Sequence, residues 1–418
     1  MFKNIVIICF LHLTYGQFYS GTNNFHKLVN VFSWNQLEYD FDGITYTRDA
    51  RKRWFPDAIY FPDDDWEGKD QFFKQYNNVP IGFEVYGDIV FVTVPRRRFG
   101  IPSTLNYVNI NTTPSSSPAL KPYPCVDSTR SFVSVYRPKV DVCDRLWMVD
   151  TGLLEVPGNR VQIKTPEIIV FDLKTDREIL RYPLKPTDLS NGTTSGLTSI
   201  TVDVTSSTCD DAFAYINDLA AEGMVVFSLK QRDSWRFSHS TMAYDVGASN
   251  FKIGENVIDW KDGLFSIALS DPDVNGVRTA YYHPFVATQE FSITTDVLKS
   301  RGDFEENYKL EGVRGPWSQS TTHAYHSTTK TLLFANVAQD GILCWNVNKP
   351  LTPKNTALVA QHHKFMLYIS DLKIVGEDVY VLVNQITRFI YSTLNVTEPN
   401  FFIFKGKISD LIADSVCE

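Results

Sequence analysis

After residue 16 the chain has no apolar run long enough to cross a bilayer as a helix, which sets helical membrane proteins aside. It also lacks surplus positive charge: 40 Lys and Arg stand against 48 Asp and Glu, a net charge of −8. Nucleic acid and anionic membrane surfaces are therefore poor partners, and the basic runs "RDARKRW" and "PRRRF" are too short to reverse that. No G-x-S-x-G, P-loop or H-E-x-x-H occurs, which disfavours a serine hydrolase, an NTPase and a zinc protease. Cysteine is scarce, and the five that follow Cys9 (Cys125, Cys143, Cys209, Cys344 and Cys417) are too widely spaced for zinc-type pairs. In an oxidising compartment they leave two disulfides and one thiol. Helix-period patterns are almost absent; "TTDVLKS" (294–300) reads as one turn.

Hydrophobic residues make up 43% and aromatics 14% of the chain, enough for a large core and too much for a disordered protein. Residues 1–16, "MFKNIVIICFLHLTYG", read as a secretory signal peptide: one Lys, an apolar stretch, then Thr14 and Gly16 before the cleavage point. The mature chain is thus expected outside the cell, and the sequons at Asn111, Asn191 and Asn395 fit that route.

The stretch "CDRLWMVDTG" (143–152) ends an apolar run on a bare acid, Asp150. The same design recurs five times, in "IVFVT", "FAYIN", "TAYYH", "LLFAN" and "YVLVN", ending on Thr93, Asn217, His283, Asn336 and Asn384. The runs recur roughly every 50–65 residues, and several have a strand-like partner on either side, such as "SITVDVTSSTCDD" before and "GMVVFSL" after the run ending on Asn217. Six such units predict an all-β, six-bladed β-propeller with four-stranded blades around a central channel. A two-sheet sandwich or two β domains is the competing architecture, but no Pro/Gly/Ser linker divides the chain. "TTPSSSPALKPYP" (112–124) reads as a long loop, and residues 17–418 are assigned to one domain. Circular closure calls for an N-terminal strand in the last blade, and "WNQLEYDF" (34–41) is the segment expected to supply it.

In a propeller the ends of the second strands meet at one face, so the six polar residues become a ring at a channel mouth, with Asp150 facing water or ligand. The plainer alternative is that they cap strand ends and satisfy loop amides. Among other motifs, "HAYH" places His323 and His326 on opposite faces of a strand, and His362 and His363 diverge likewise, so no metal site is assigned. "DDDW" (63–66) reads as a solvated loop, with calcium the weaker alternative. "RGD" (301–303) reads as accidental.

The motifs "GFEVYGDIVFVTVPR", "SVYRPKVDVCDRLWMVDTG", "CDDAFAYIND", "DGLFSIALSD", "RTAYYHPFVATQEFSI", "RGPWSQS" and "GILCWN" resemble, in order, the insect yellow/major royal jelly protein family from about Trp34 to the C-terminus. "AYYHPF" and "CDDAFAYI" are more similar to the cuticular yellow proteins than to the royal jelly nutrients. The resemblance implies a six-bladed propeller and disulfides Cys143–Cys209 and Cys344–Cys417, leaving Cys125 unpaired or bridging chains. It also implies three functional outcomes. The first, and the preferred one, is a secreted protein of melanin and cuticle pigmentation that binds or converts catechol or indole metabolites such as dopachrome. The second is a binder that sequesters biogenic amines without catalysis. The third is a structural matrix or eggshell protein.

In amine-binding relatives a Thr before a first-strand Asp, and an Asn and a Phe in the last hairpin, contact the ligand. The matching positions here are Ser370 with Asp371, and Asn384 with Ile386. Loss of the aromatic at Ile386 removes stacking worth ~0.5–1.5 kcal/mol to an indole. Dopachrome conversion moves a proton from carbon and needs a base with donors for the developing oxyanion. On this reading His283 and Asp150 are the candidate bases, and Asn217, Asn336 and Asn384 the donors. Asp150, Asp262 or Asp371 would pair with a ligand ammonium. The expected partner is a small aromatic amine or catechol, with no cofactor, nucleic acid or membrane.

Overall fold

The computed structural model describes residues 24–51, 71–156, 159–190 and 195–418. The segment 1–16 read as a signal peptide, "DDDW" and the Asn191 sequon lie outside the described residues; Asn111 and Asn395 are both exposed.

Six four-stranded antiparallel sheets succeed one another along the chain. The second strands are Ile89–Thr93, Arg145–Asp150, Phe213–Asp218, Thr279–Pro284, Thr331–Asn336 and Asp378–Val383. These are the six apolar runs read from the sequence. They are apolar on both faces because each lies inside its sheet with a neighbouring blade packed on either side. The first strands begin at Gly82, Lys139, Leu197, Leu264, Ser320 and Ile369 and form the innermost layer. That of blade II is reduced to Lys139–Val140, since the preceding segment, with Pro138, pairs only at isolated bridges such as Arg137↔Ser199.

The ring closes as expected, through a different segment. The outer strand of blade VI is Val29–Trp34, paired with Phe401–Lys407, whereas Tyr39–Phe41 forms a separate hairpin with Ile44–Tyr46. Only Trp34 of the segment read from the sequence belongs to the closing strand. "VNVFSW" carries the alternation that buries Phe32 and Trp34, and the Trp34 indole N–H donates to the Pro118 carbonyl at 2.8 Å. The "TTPSSSPALKPYP" segment contains the short outer strand of blade I, Lys121–Pro122.

The core follows the same plan, one apolar cluster per blade interface. Phe91, Leu146 and Phe171 fill the join of blades I and II. Trp147, Ile216 and Phe227 fill the next, and Tyr215, Tyr282 and Phe291 the one after. The cluster between blades VI and I is the largest and extends outward. It takes in Tyr39 and Phe41, Phe251 and Ile258 from the hairpin Phe251–Ile253/Asn256–Ile258, and Ile386 and Phe389 from the helix Ile386–Tyr391. These additions form an apolar cap on the face where the first strands begin. Two disulfides staple the ring: Cys143–Cys209 joins the first hairpin turns of blades II and III, and Cys344–Cys417 ties blade V to the C-terminus. Cys125 is free and exposed. Among the described residues no helix is long and apolar enough to cross a membrane.

Candidate functional site in the central channel

The six residues singled out at the ends of the second strands are spent on the backbone, four of them as ties between blades. Each is fully buried. Thr93 donates through its hydroxyl to the Tyr136 carbonyl at the entry to blade II. Asn217 donates to the Leu264 carbonyl of blade IV at 3.0 Å, and Asn384 to the Pro80 carbonyl of blade I at 2.7 Å. His283 places Nε2 3.3 Å from the Ser320 carbonyl of blade V. Asn336 accepts from the Gln339 amide at 3.1 Å.

The expectation that Asp150 faces water or ligand is corrected by its partners. Its carboxylate accepts the amides of Val133 and Ser134, both at 2.8 Å, and of Gly152 at 3.1 Å, with Lys164 3.2 Å away. A bare acid at a strand end is the acceptor that a bundle of loop amides requires. Ser370 and Asn384 are similarly committed, Ser370 donating to the Ile81 carbonyl at 2.6 Å, and Ile386 is buried in the cap. Nearby, Trp260 stacks on Tyr391 at 6.3 Å between ring centroids.

Water-accessible space lies inside the ring instead. A cavity of about 180 Å³ follows the first strands of blades III to VI, from Ser199, Ser266 and Thr322 near their starts to Val202, Leu269 and Ile374 near their ends. A cavity of ~150 Å³ holds one benzene ring, so there is room for a single compact aromatic molecule. Its wall carries Arg137, Lys139, Lys373, Asp371 and His323. The Arg137 guanidinium donates to the Ser370 carbonyl at 2.9 Å and lies over the Phe265 ring; burial lowers its pKa, with Asp371 pulling it back up. Lys139 pairs with buried Glu84 at 3.2 Å. Lys373 sits 3.4 Å from Asp371, which also accepts the Phe83 amide at 3.1 Å. Burial pushes the Asp371 pKa up, against the opposing pull of Lys373 and Arg137. Three cations and one carboxylate therefore share this lining, with Glu84 paired to Lys139 beside it, a field that favours a ligand with a negative group.

Behind the wall between blades IV and V lies a second polar cluster that sequence reading did not assemble. His323, from the first strand of blade V, has Nδ1 2.6 Å from the Ser266 hydroxyl and Nε2 3.1 Å from Glu290 Oε1. His283 Nδ1 lies 3.0 Å from Glu290 Oε2, which also accepts from Arg314 at 2.6 Å. Burial draws the His283 pKa down to about 4 despite the pull of Glu290, so the ring is neutral near pH 7. His326 points elsewhere, toward Thr329 and Glu377, as the strand alternation requires.

Fold and channel together define a class: a six-bladed propeller with a charged cavity inside its ring. Residues 133–417 match the major royal jelly protein family model. The chain is 38% identical over 406 residues to L-dopachrome tautomerase yellow-f of Drosophila melanogaster, covering 94% of each. It is 32% identical over 406 residues to protein yellow of Drosophila yakuba, covering 94% of this chain and 71% of that one. The chain belongs to the yellow/major royal jelly protein family. Among solved structures, a protein of unknown function from Bacteroides thetaiotaomicron aligns over 91% of this chain and 75% of its own, at 8% identity and a TM-score of 0.49.

Proposed function

We propose that this chain is an exported pigmentation protein that takes dopachrome, or a closely related indole carboxylate, into its channel and catalyses its rearrangement. The observation that carries the reading is the cationic wall formed by Arg137, Lys139 and Lys373 beside Asp371. Dopachrome combines a carboxylate with an ortho-quinone on a fused ring, and yellow-f bears the name of a dopachrome tautomerase. In this reading Arg137 pairs with the carboxylate, as a planar fork suits. Asp371 takes a proton from ring carbon, helped by a carboxyl whose pKa burial raises toward the working range. The electron pair left on carbon moves into the quinone, and the oxygen that gains charge is stabilised by Lys373 or Lys139 before it is protonated. If the carboxylate leaves as CO2 instead, the same cations serve the same oxygen. The leader, two exposed sequons and two disulfides support export.

His283 and Asp150 do not line the cavity, so on this reading they act by shaping its wall. The amine-binding alternative would have to break the bonds that Ser370 and Asn384 make to Ile81 and Pro80. The test is dopachrome decay with the secreted protein, beside calorimetry with dopamine and serotonin. Asp371→Asn is expected to lower turnover on the order of 10²-fold while leaving the fold intact. Arg137→Lys is expected to raise KM more than it lowers kcat, since it loses the bidentate contact. Decay at the spontaneous rate with wild-type protein would remove the enzymatic reading, and dopamine binding in that case would select sequestration.

A further inference from the structure

The cluster behind the channel wall is built as a metal site is built. Three buried donor atoms, His283 Nδ1, His323 Nε2 and one oxygen of Glu290, lie within 4.8 Å of one another. His283 Nδ1, His323 Nε2 and Glu290 Oε1 have no hydrogen-bond partner, although all three side chains are fully buried. Such atoms are rare because leaving them unmatched costs stability. The opposite ring nitrogens are both engaged, His283 Nε2 with the Ser320 carbonyl and His323 Nδ1 with the Ser266 hydroxyl. A carbonyl only accepts, so Nε2 of His283 carries a hydrogen and Nδ1 is the atom turned to Glu290. It faces a carboxylate oxygen 3.0 Å away, so a proton or a metal cation must lie between them.

We propose that His283, Glu290 and His323 bind a divalent transition-metal ion of the zinc class in the wall between blades IV and V. Two imidazoles and one carboxylate form a zinc donor set, and three protein ligands leave a position for water or a channel ligand. Tetrahedral donors ~2.1 Å from one ion are about 3.4 Å apart, and the nitrogen–oxygen separations here, 3.0 and 3.1 Å to the two oxygens of Glu290, would open by a few tenths of an ångström around an ion. Outer contacts hold the ligands as such sites require: the serine and the carbonyl orient the rings, and Arg314 fixes Oε2 of the carboxylate. Arg314 is itself pinned by the Gln289 and Ala287 carbonyls at 2.7 and 2.9 Å. His323 and Ser266 belong to the channel wall, which gives an ion its way in. The inference does not rest on the dopachrome reading, whose assigned groups are other residues.

The test is metal content of full-length secreted protein purified without chelator or metal-affinity resin. About one equivalent of divalent transition metal per chain is expected, retained through gel filtration. Chelator-treated protein is expected to regain one Zn2+ with a rise in Tm, and one Co2+ with visible absorption of an imidazole-ligated ion. Glu290→Gln and His323→Gln should lose at least tenfold in Zn2+ affinity, whereas His363→Gln, at an exposed imidazole, should not. The wild-type Co2+ spectrum and Tm shift keep the test decisive if the buried variants fail to fold. Metal-free protein that neither retains added Zn2+ nor gains Tm would overturn the assignment, as would stoichiometric binding that survives loss of Glu290 and His323. Dopachrome turnover by a chain with no affinity for metal would overturn this inference alone.

Discussion

Among single residues, the polar side chains of this propeller divide into those spent on backbone and those left for chemistry. The sequence showed that six polar residues would stand at the ends of the second strands. It could not show what they would bond, because the carbonyls of Tyr136, Leu264, Ser320 and Pro80 become partners only when the next blade docks. Glu290 went unnoticed although the alternation in "QEFSIT" sets it apart from Phe291 and Ile293. Its partners are brought to it by strand packing and no short motif encodes them. Asp340 allows a direct test of buried charge. Burial raises its carboxyl to about 6, against the pull of exposed His363 3.0 Å away. A folded-state pKa above the unfolded value means that the proton favours the folded form. The associated stability is full below about pH 4 and lost as pH rises through about 6. Asp340→Asn should therefore raise stability at pH 7.5 and above by roughly 1–3 kcal/mol, read as a higher Tm, and the advantage should vanish near pH 4. Paired thermal melts across that range would show it, and a pH-independent difference would contradict the sign.

For strands and hairpins, legibility followed length. The six second strands could be read because three to five consecutive apolar residues bounded by polar and turn residues suit a buried strand and are too short for a buried helix. The capping hairpins and the helices Ile386–Tyr391 and Ile408–Ile412 are too short to establish a period. The helix at Thr295–Ser300 matches the single turn read from "TTDVLKS". The hairpin turns of blades II and III are held by the Cys143–Cys209 bridge, which closes a loop of 66 residues. Replacing both cysteines with serine should cost roughly 2–4 kcal/mol, read as a lower urea midpoint with little change in slope. An unchanged midpoint would mean that the packed blades already hold these turns. The Gly152 that ends "CDRLWMVDTG" is fixed by geometry. Its φ is +63°, and a Cβ there would lie 1.9 Å from the Lys164 carbonyl oxygen.

Across the whole molecule, the ring is closed by strands from opposite ends of the chain, Val29–Trp34 against Phe401–Lys407. Circular closure was predictable from the repeat count; the closing segment was not, because "WNQLEYDF" is as strand-like as the segment before it. Deleting residues 29–33 should expose the edge of Phe401–Lys407 and uncover the largest apolar cluster. The expected outcome is a marked fall in Tm with faster limited proteolysis, and wild-type resistance would contradict the role given to this strand.

That closure also governs how the protein must be made. The strand Val29–Trp34 has no partner until the ribosome has added residue 407, and Cys344 waits for Cys417, 73 residues later. Until then the nascent chain is an open arc with a bare strand edge. A nonsense mutation that removes only the final stretch from Phe401 onward would therefore damage both ends of the protein at once, and quality control should reject it as it would a much shorter fragment.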